Sequence, residues 1–129
     1  MGTISQPIKI LIADDDRLVR RSLRLLLQRE EDIAVVGEAA DGLEAVSRTA
    51  RACPDVVLMD AGMPRVDGIE ATRMVKEICP KVKVIVLTVY GDRLLEALLA
   101  GASHYLLKDC AREELLVRIR ESIHQRSAV

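Results

Sequence analysis

The sequence has no tryptophan, no phenylalanine and only two tyrosines. Proteins that bind single-stranded nucleic acid commonly stack bases on aromatic rings, so this class is disfavoured. The formal net charge of −1 gives no electrostatic reason to bind nucleic acid directly. No apolar run approaches the roughly 18 residues that span a bilayer, and the start, MGTISQPIK, lacks the pattern of a signal peptide.

Cysteine is also scarce. Cys53, Cys79 and Cys110 are odd in number and far apart in the sequence, which argues against a disulfide framework and against a zinc site. We therefore expect three small, buried or half-buried thiols and a reducing, cytoplasmic compartment.

What the chain does contain is a regular alternation of strand-like and helix-like segments. Apolar runs at 9–13, 33–39, 55–59, 83–88 and 103–107 are typical of buried strands. Helical periodicity follows them, with these predicted inner faces: Val19, Leu23, Leu26 and Leu27; Leu43, Val46 and Ala50; Ala71, Met74, Val75 and Ile78; Leu115, Leu116, Ile119 and Ile123. Strands apolar on both faces and alternating with helices predict one open α/β domain with a parallel sheet.

Ligands of such sheets bind at the carboxyl ends of the strands. The residues found there are Asp14, Asp15 and Asp16 after the first strand, Asp60 after the third, Thr88 after the fourth and Lys108 after the fifth. The second strand ends at Glu38–Ala39 with nothing distinctive. We assign Asp16 to capping the following helix. The other carboxylates lack histidine or cysteine neighbours, a ligand set that favours Mg²⁺.

A metal ion, a lysine and a hydroxyl around a carboxylate are what phosphoryl transfer requires. A nucleotide or flavin binder of the same architecture is a weaker hypothesis, because a DDD loop repels phosphate and no glycine-rich fingerprint is present. A phosphatase of the haloacid dehalogenase type is also weaker, since Gly62 stands where its second aspartate belongs.

Five segments in order, ILIADDDRLVRRSL, VVGEAADGLEAV, PDVVLMDAGMPRVDGIEAT, VKVIVLT and ALLAGASHYLLKD, resemble the receiver domain of two-component response regulators, most closely the NarL/FixJ (LuxR-type) class. The resemblance covers essentially residues 1–129. It implies a flavodoxin- or CheY-like (βα)5 fold with strand order 2-1-3-4-5 and helices on both faces.

The resemblance also implies a phosphorylation site. Asp60 would accept the phosphoryl group. Mg²⁺ or Mn²⁺ would be bound by Asp14, Asp15, Asp60 and the backbone carbonyl of Gly62. The domain would catalyse only its own phosphorylation and dephosphorylation.

Three further residues match the switching apparatus of the family. Thr88 and Lys108 would hold phosphate oxygens, and Tyr105 would turn inward when Thr88 moves. The stretch from Thr88 to Lys108 is a residue or two shorter than is usual, and Gly91 stands where an acidic helix start is expected. The resemblance therefore leaves the length of the fourth helix open, together with a degenerate or stand-alone receiver that acts only through protein contacts.

Partners follow from the same resemblance. A sensor histidine kinase would donate the phosphoryl group, and a helix-turn-helix output domain that binds DNA would lie outside these residues.

The arginines of the first helix form either a solvated face or a docking surface; they are Arg17, Arg20, Arg21, Arg24 and Arg29. The mixed charges of the last helix suggest a phosphorylation-dependent homodimer.

Overall fold

The computed structural model describes residues 6–124, which form one five-stranded sheet and five helices. The strands are β1 (Ile8–Ala13), β2 (Ile33–Ala39), β3 (Val56–Asp60), β4 (Lys83–Thr88) and β5 (His104–Leu107). The helices are α1 (Arg17–Gln28), α2 (Gly42–Ala52), α3 (Gly68–Ile78), α4 (Leu94–Leu99) and α5 (Arg112–His124). No helix within this part of the chain is both long and apolar enough to cross a membrane.

All strands are parallel and their order is β2-β1-β3-β4-β5, which confirms the predicted fold. The central strands β1, β3 and β4 consist almost entirely of buried residues, because helices cover both faces of the sheet. One apolar cluster lies under α2, α3 and α4, and the other lies under α1 and α5.

Aspartates begin three of the helices. Asp16 accepts hydrogen bonds from Leu18 N and Val19 N, as predicted, and caps α1. Asp41 caps α2 and Asp67 caps α3 in the same way. The acidic residues that follow the strands therefore divide into helix caps and a separate group at the sheet edge.

The predicted inner face of α2 was wrong at two of its three positions, although Val46 does pack against the core. Leu43 and Ala50 are exposed, and the buried residues are Gly42, Ala45 and Thr49. A Cβ atom at Gly42 would lie 1.9 Å from the backbone oxygen of Val66, so small residues let the helix approach the β3–α3 loop closely. That approach rotates the buried face away from the larger apolar side chains.

Two further observations concern the helices α3 and α4. Ile78 was assigned to the inner face of α3 but is half exposed in its last turn. Helix α4 has six residues, and no side chain caps its start. The short fourth helix matches the shortened segment noted in the sequence.

Candidate functional site

The site lies at the carboxyl edge of the sheet, where β1 and β3 end side by side. Asp14 and Asp60 are both buried, whereas Asp15 is exposed. One carboxylate oxygen from each of the three lies within 4.8 Å of the others. The structure thus brings together three residues that are separated by up to two strands in the sequence.

Lys108 provides the compensating charge. Its Nζ lies 2.8 Å from Asp14 Oδ2 and 3.2 Å from Asp60 Oδ1. The side chain reaches the acidic cluster from the β5–α5 loop, which is fixed by a hydrogen bond from Lys108 N to Thr88 O at 2.7 Å. One ammonium against three carboxylates leaves the cluster with a net negative charge.

The pKa of Asp60 reflects both its burial and the charges around it. Burial raises the pKa of the Asp60 carboxyl above its usual value, and the Asp14 carboxylate raises it further. The Gly62 N–H, which donates to Asp60 Oδ1 at 3.2 Å, and Lys108 act in the opposite direction. Burial lowers the pKa of the Lys108 ammonium, but Asp14 and Asp60 outweigh it, so that the net pKa is raised.

A divalent cation fits this donor set. Asp14 Oδ2 is buried and accepts no hydrogen bond of good geometry, although Lys108 lies beside it. The available ligands are all oxygens, which hard cations such as Mg²⁺ prefer. A bound cation would also relieve the repulsion among the carboxylates.

The position of Asp60 depends on the loop that follows it. A Cβ atom at Gly68 would lie 1.8 Å from Asp60 O, so glycine is required for the start of α3 to pack against the end of β3. Gly68 N also donates to Ala61 O at 2.9 Å. Gly62, by contrast, has open space where a side chain would be.

Thr88 and Tyr105 are linked through the β4–α4 loop. Thr88 is buried at the end of β4, and its Oγ1 accepts a hydrogen bond from Tyr90 N at 3.1 Å. The Tyr105 hydroxyl donates to Tyr90 O at 2.8 Å and accepts from Arg93 N at 2.9 Å. The ring is half-buried against the core under α3 and α4.

The same network continues to α3. Arg93 contacts Asp67, the residue that caps α3, at 3.4 Å and Glu96 of α4 at 3.0 Å. A displacement of Thr88 would therefore move a loop that is bonded both to Tyr105 and to the start of α3. This connection was not foreseen from the sequence, because Arg93 lies in a segment without a recognisable motif.

A second group of residues was missed at the end of β2. Glu38, considered undistinctive, receives hydrogen bonds from Arg20 at 3.1 Å and Arg24 at 2.5 Å. Arg20 also donates to the backbone carbonyl of Asp14 at 2.7 Å. These two arginines support the site and are not a freely solvated face; Arg17, Arg21 and Arg29 are exposed. The available signal was that Glu38 lies at the same sheet edge as Asp14.

Comparison with known proteins agrees with this geometry. A family model described as the response regulator receiver domain matches residues 10–120. The chain belongs to this family. The receiver is 48% identical over 111 residues to the uncharacterized transcriptional regulatory protein YhcZ of Bacillus subtilis, a match covering 84% of this chain and 52% of that protein. It is 40% identical over 116 residues to the oxygen regulatory protein NreC of Staphylococcus haemolyticus, covering 88% and 54%.

Solved structures show the same fold. The response regulator domain of Thermotoga maritima CheB matches with a TM-score of 0.87 and 32% identity, over 92% of this chain and 98% of that one. A LuxR-family two-component response regulator from Aurantimonas sp. SI85-9A1 matches with a TM-score of 0.85 and 35% identity, over 89% and 84%.

The predicted family and its NarL/FixJ (LuxR-type) class are thus confirmed. The receiver spans about half the length of the curated relatives it matches.

Proposed function

We propose that this receiver accepts a phosphoryl group on Asp60 in a reaction that requires a divalent cation. The observation that carries the proposal is the convergence of two buried carboxylates, a third exposed one and a lysine at one sheet edge. Mg²⁺ or Mn²⁺ would be held by Asp14, Asp15, Asp60 and the carbonyl of Gly62. When bound, the cation would neutralise charge on the phosphoryl oxygens.

Each residue of the chain then has a defined part. An Asp60 carboxylate oxygen forms the new bond to phosphorus, and the bond from phosphorus to the donor breaks, its electrons leaving with the donor. The Lys108 ammonium is placed to neutralise a phosphoryl oxygen. Thr88 Oγ1 already accepts from Tyr90 N, so its hydroxyl hydrogen is available to donate to another phosphoryl oxygen.

The switching step uses the loop network. As Thr88 turns toward the phosphoryl group, it pulls on Tyr90, and Tyr105 is bonded to that same residue. Phosphorylation thereby favours one arrangement of the β4–α4 loop over another, which is a population shift between two states. The receiver acts on no external turnover substrate and catalyses only its own phosphorylation and dephosphorylation.

The experiment is phosphorylation by acetyl phosphate with Mg²⁺, followed by intact mass. We expect one phosphoryl group, lost with EDTA and lost in Asp60→Asn. Asp92→Asn, at an exposed residue outside the cluster, is the matched control and should be phosphorylated normally. Absence of any adduct, with a folded protein, would favour the alternative of a degenerate or stand-alone receiver that acts only through protein contacts.

The donor in the cell would be a sensor histidine kinase, in keeping with a cytoplasmic location. Arg17 and Arg21 are exposed on α1 and are the arginines suited to docking it. Arg21→Glu should slow transfer from the kinase without affecting acetyl phosphate. Equal loss with both donors would count against docking.

The output would lie outside residues 1–129, in a DNA-binding domain of a longer protein. Residues of α4 and β5 leave leucines exposed by 44–76%, namely Leu94, Leu95, Leu98, Leu99 and Leu107. An apolar surface of this kind is typical of a contact with a partner, and we assign it to that output domain.

A phosphorylation-dependent homodimer remains a second use of this receiver. The arginines of α5 that suggested it are already paired within the chain, because Arg112 and Arg120 contact Glu30, Arg120 also contacts Asp32, and Arg118 contacts Glu114 and Glu121. Light scattering with and without beryllofluoride tests the dimer, and an unchanged mass would exclude it.

A further inference from the structure

Helices α2 and α3 lie on the same face of the sheet, and a Cys-Pro dipeptide follows the last helical residue of each. Cys53 is the C-cap of α2 and Cys79 is the C-cap of α3, and each is followed by a proline that leads into the next strand. Those strands, β3 and β4, are adjacent and parallel, with Val56 paired to Lys83. The topology therefore places both thiols at the amino edge of the sheet, opposite Asp60.

Both thiols lie against the last turn of α2, with Cys53 Sγ 3.9 Å from Ala50 O. Thr49 O accepts a hydrogen bond from Cys53 N at 3.0 Å, and Cys79 Sγ lies 4.0 Å from the same oxygen. Cys53 adopts a left-handed backbone conformation, with φ 46° and ψ 58°. This conformation is unusual for a residue with a side chain.

The pair lines a surface cleft of about 520 Å³. Its other walls include Pro54, Ile78, Lys81 and Val82. Cys53 is exposed and Cys79 is half-buried, so a reagent that enters the cleft meets Cys53 first. Both are free thiols.

The thiols differ in a way that suits sequential reaction. Burial raises the pKa of the Cys79 thiol, and the neighbouring Cys53 raises it further. The raised pKa makes Cys79 the poorer first nucleophile, whereas exposure makes Cys53 the thiol that an external disulfide reaches.

We propose that Cys53 and Cys79 are a redox-responsive dithiol site for small disulfides of the glutathione type. The Cys53 thiolate attacks one sulfur of the disulfide, which forms a mixed disulfide and releases one thiol. The Cys79 thiolate then attacks the Cys53 sulfur and releases the second thiol. Two cysteine thiols are oxidised to one disulfide and the external disulfide is reduced to two thiols, which take up the two protons.

The oxidised form would join the end of α2 to the end of α3. A crosslink between residues 53 and 79 restricts the unfolded chain, so we expect the oxidised receiver to unfold at higher urea concentration than the reduced one. Because the pair lies at the sheet edge away from Asp60, this reaction does not depend on the proposed phosphorylation, and either can fail without the other.

The test uses the full chain incubated with glutathione disulfide in mildly alkaline buffer. We expect the mass to fall by two hydrogen atoms and the tryptic peptides 52–65 and 77–81 to appear joined. Cys110→Ser is the matched control, since Cys110 belongs to the other face of the sheet and should not matter.

Single variants separate the steps. Cys79→Ser should retain a stable glutathione adduct on Cys53, and Cys53→Ser should give no internal disulfide. Cys79→Ala and Cys53→Ala should give the same two results as the corresponding serine variants. Circular dichroism checks that each variant is folded. The proposal is overturned if the wild type keeps the adduct, forms covalent dimers, does not react, or requires Cys110.

Discussion

Replacing Asp60 with asparagine should stabilise the receiver at neutral pH in the absence of divalent cations. The change removes a buried charge but keeps the shape and the ability to accept a hydrogen bond from Gly62 N. Asp60 Oδ1 is 3.2 Å from Lys108 Nζ, and the carboxylates of Asp14 and Asp15 lie within 4.8 Å. The carboxylate thus has one close attraction and two repulsions.

The size of the effect follows from these distances. At an effective dielectric constant of about 20, the attraction of Lys108 is about 5 kcal/mol and the repulsion of the buried Asp14 is at least about 3.5 kcal/mol. The exposed Asp15 adds a smaller repulsion because solvent screens it. These charge interactions nearly cancel, so the cost of burying the Asp60 carboxylate, about 1–3 kcal/mol or more for a charged group, decides the sign. We expect Asp60→Asn to raise the free energy of unfolding by about 2 kcal/mol, or Tm by roughly 5–10 °C.

The stability gained by Asp60→Asn depends on pH. The pKa of Asp60 is raised in the folded state, whereas in the unfolded chain it is near the ordinary value of about 3.9. Below that unfolded value, Asp60 is protonated in both the folded and the unfolded state, and its ionisation costs the wild type no stability. As the pH rises through the folded pKa, wild type loses stability, so the advantage of Asp60→Asn grows and then becomes constant.

The assay is urea unfolding with EDTA over a range of pH. Asp15→Asn is the control for a carboxylate that is exposed, and its gain should be smaller. Added Mg²⁺ should stabilise wild type more than Asp60→Asn, because the variant lacks one proposed ligand. A variant less stable than wild type at neutral pH, or a gain that does not vary with pH, would refute the reasoning.

Three further substitutions test the supports of the site. Arg20→Ala should lower the free energy of unfolding by about 1–3 kcal/mol, because the Arg20 guanidinium donates a hydrogen bond to the backbone at the end of β1. The control Arg21→Ala, at an exposed residue, should change the free energy of unfolding by less than about 0.5 kcal/mol. Equal effects of the two substitutions would contradict the assigned contact. Gly68→Ala should destabilise severely, by about 3 kcal/mol or more, since its Cβ has no room beside β3, whereas Gly62→Ala should fold normally; chemical denaturation compares them. Tyr105→Phe should cost about 1 kcal/mol and speed hydrogen exchange in the β4–α4 loop, and unchanged exchange there would show that its hydroxyl does not hold the loop.

Much of the fold was predictable because its signals are local. The predicted strands agree with the observed ones to within a residue at each end, since buried parallel strands are continuous apolar runs. Asp16 was predictable as a helix cap because capping involves residues two or three positions away. The grouping of Asp14, Asp15 and Asp60 followed from the rule that parallel strands end at one edge.

Other features could not be predicted because they depend on how elements pack. The buried face of α2 is set by contact between Gly42 and Val66, which periodicity does not contain. The pairing of Arg20 with Glu38 requires α1 to lie along β2. Neither contact has a signature within a single window of sequence.

The sequence by itself determined the family, the order of the elements and the residues of the acidic edge. Hydrophobic patterns and strand ends involve residues close together in the sequence, so they can be recognised without the tertiary structure. Only the tertiary structure decided which charges meet. It placed Lys108 between two carboxylates, tied Tyr105 to the loop after Thr88, and brought Cys53 and Cys79 to one cleft although 25 residues separate them in the sequence. Such contacts arise when separate elements pack on a common sheet, and their distances are fixed by the whole fold.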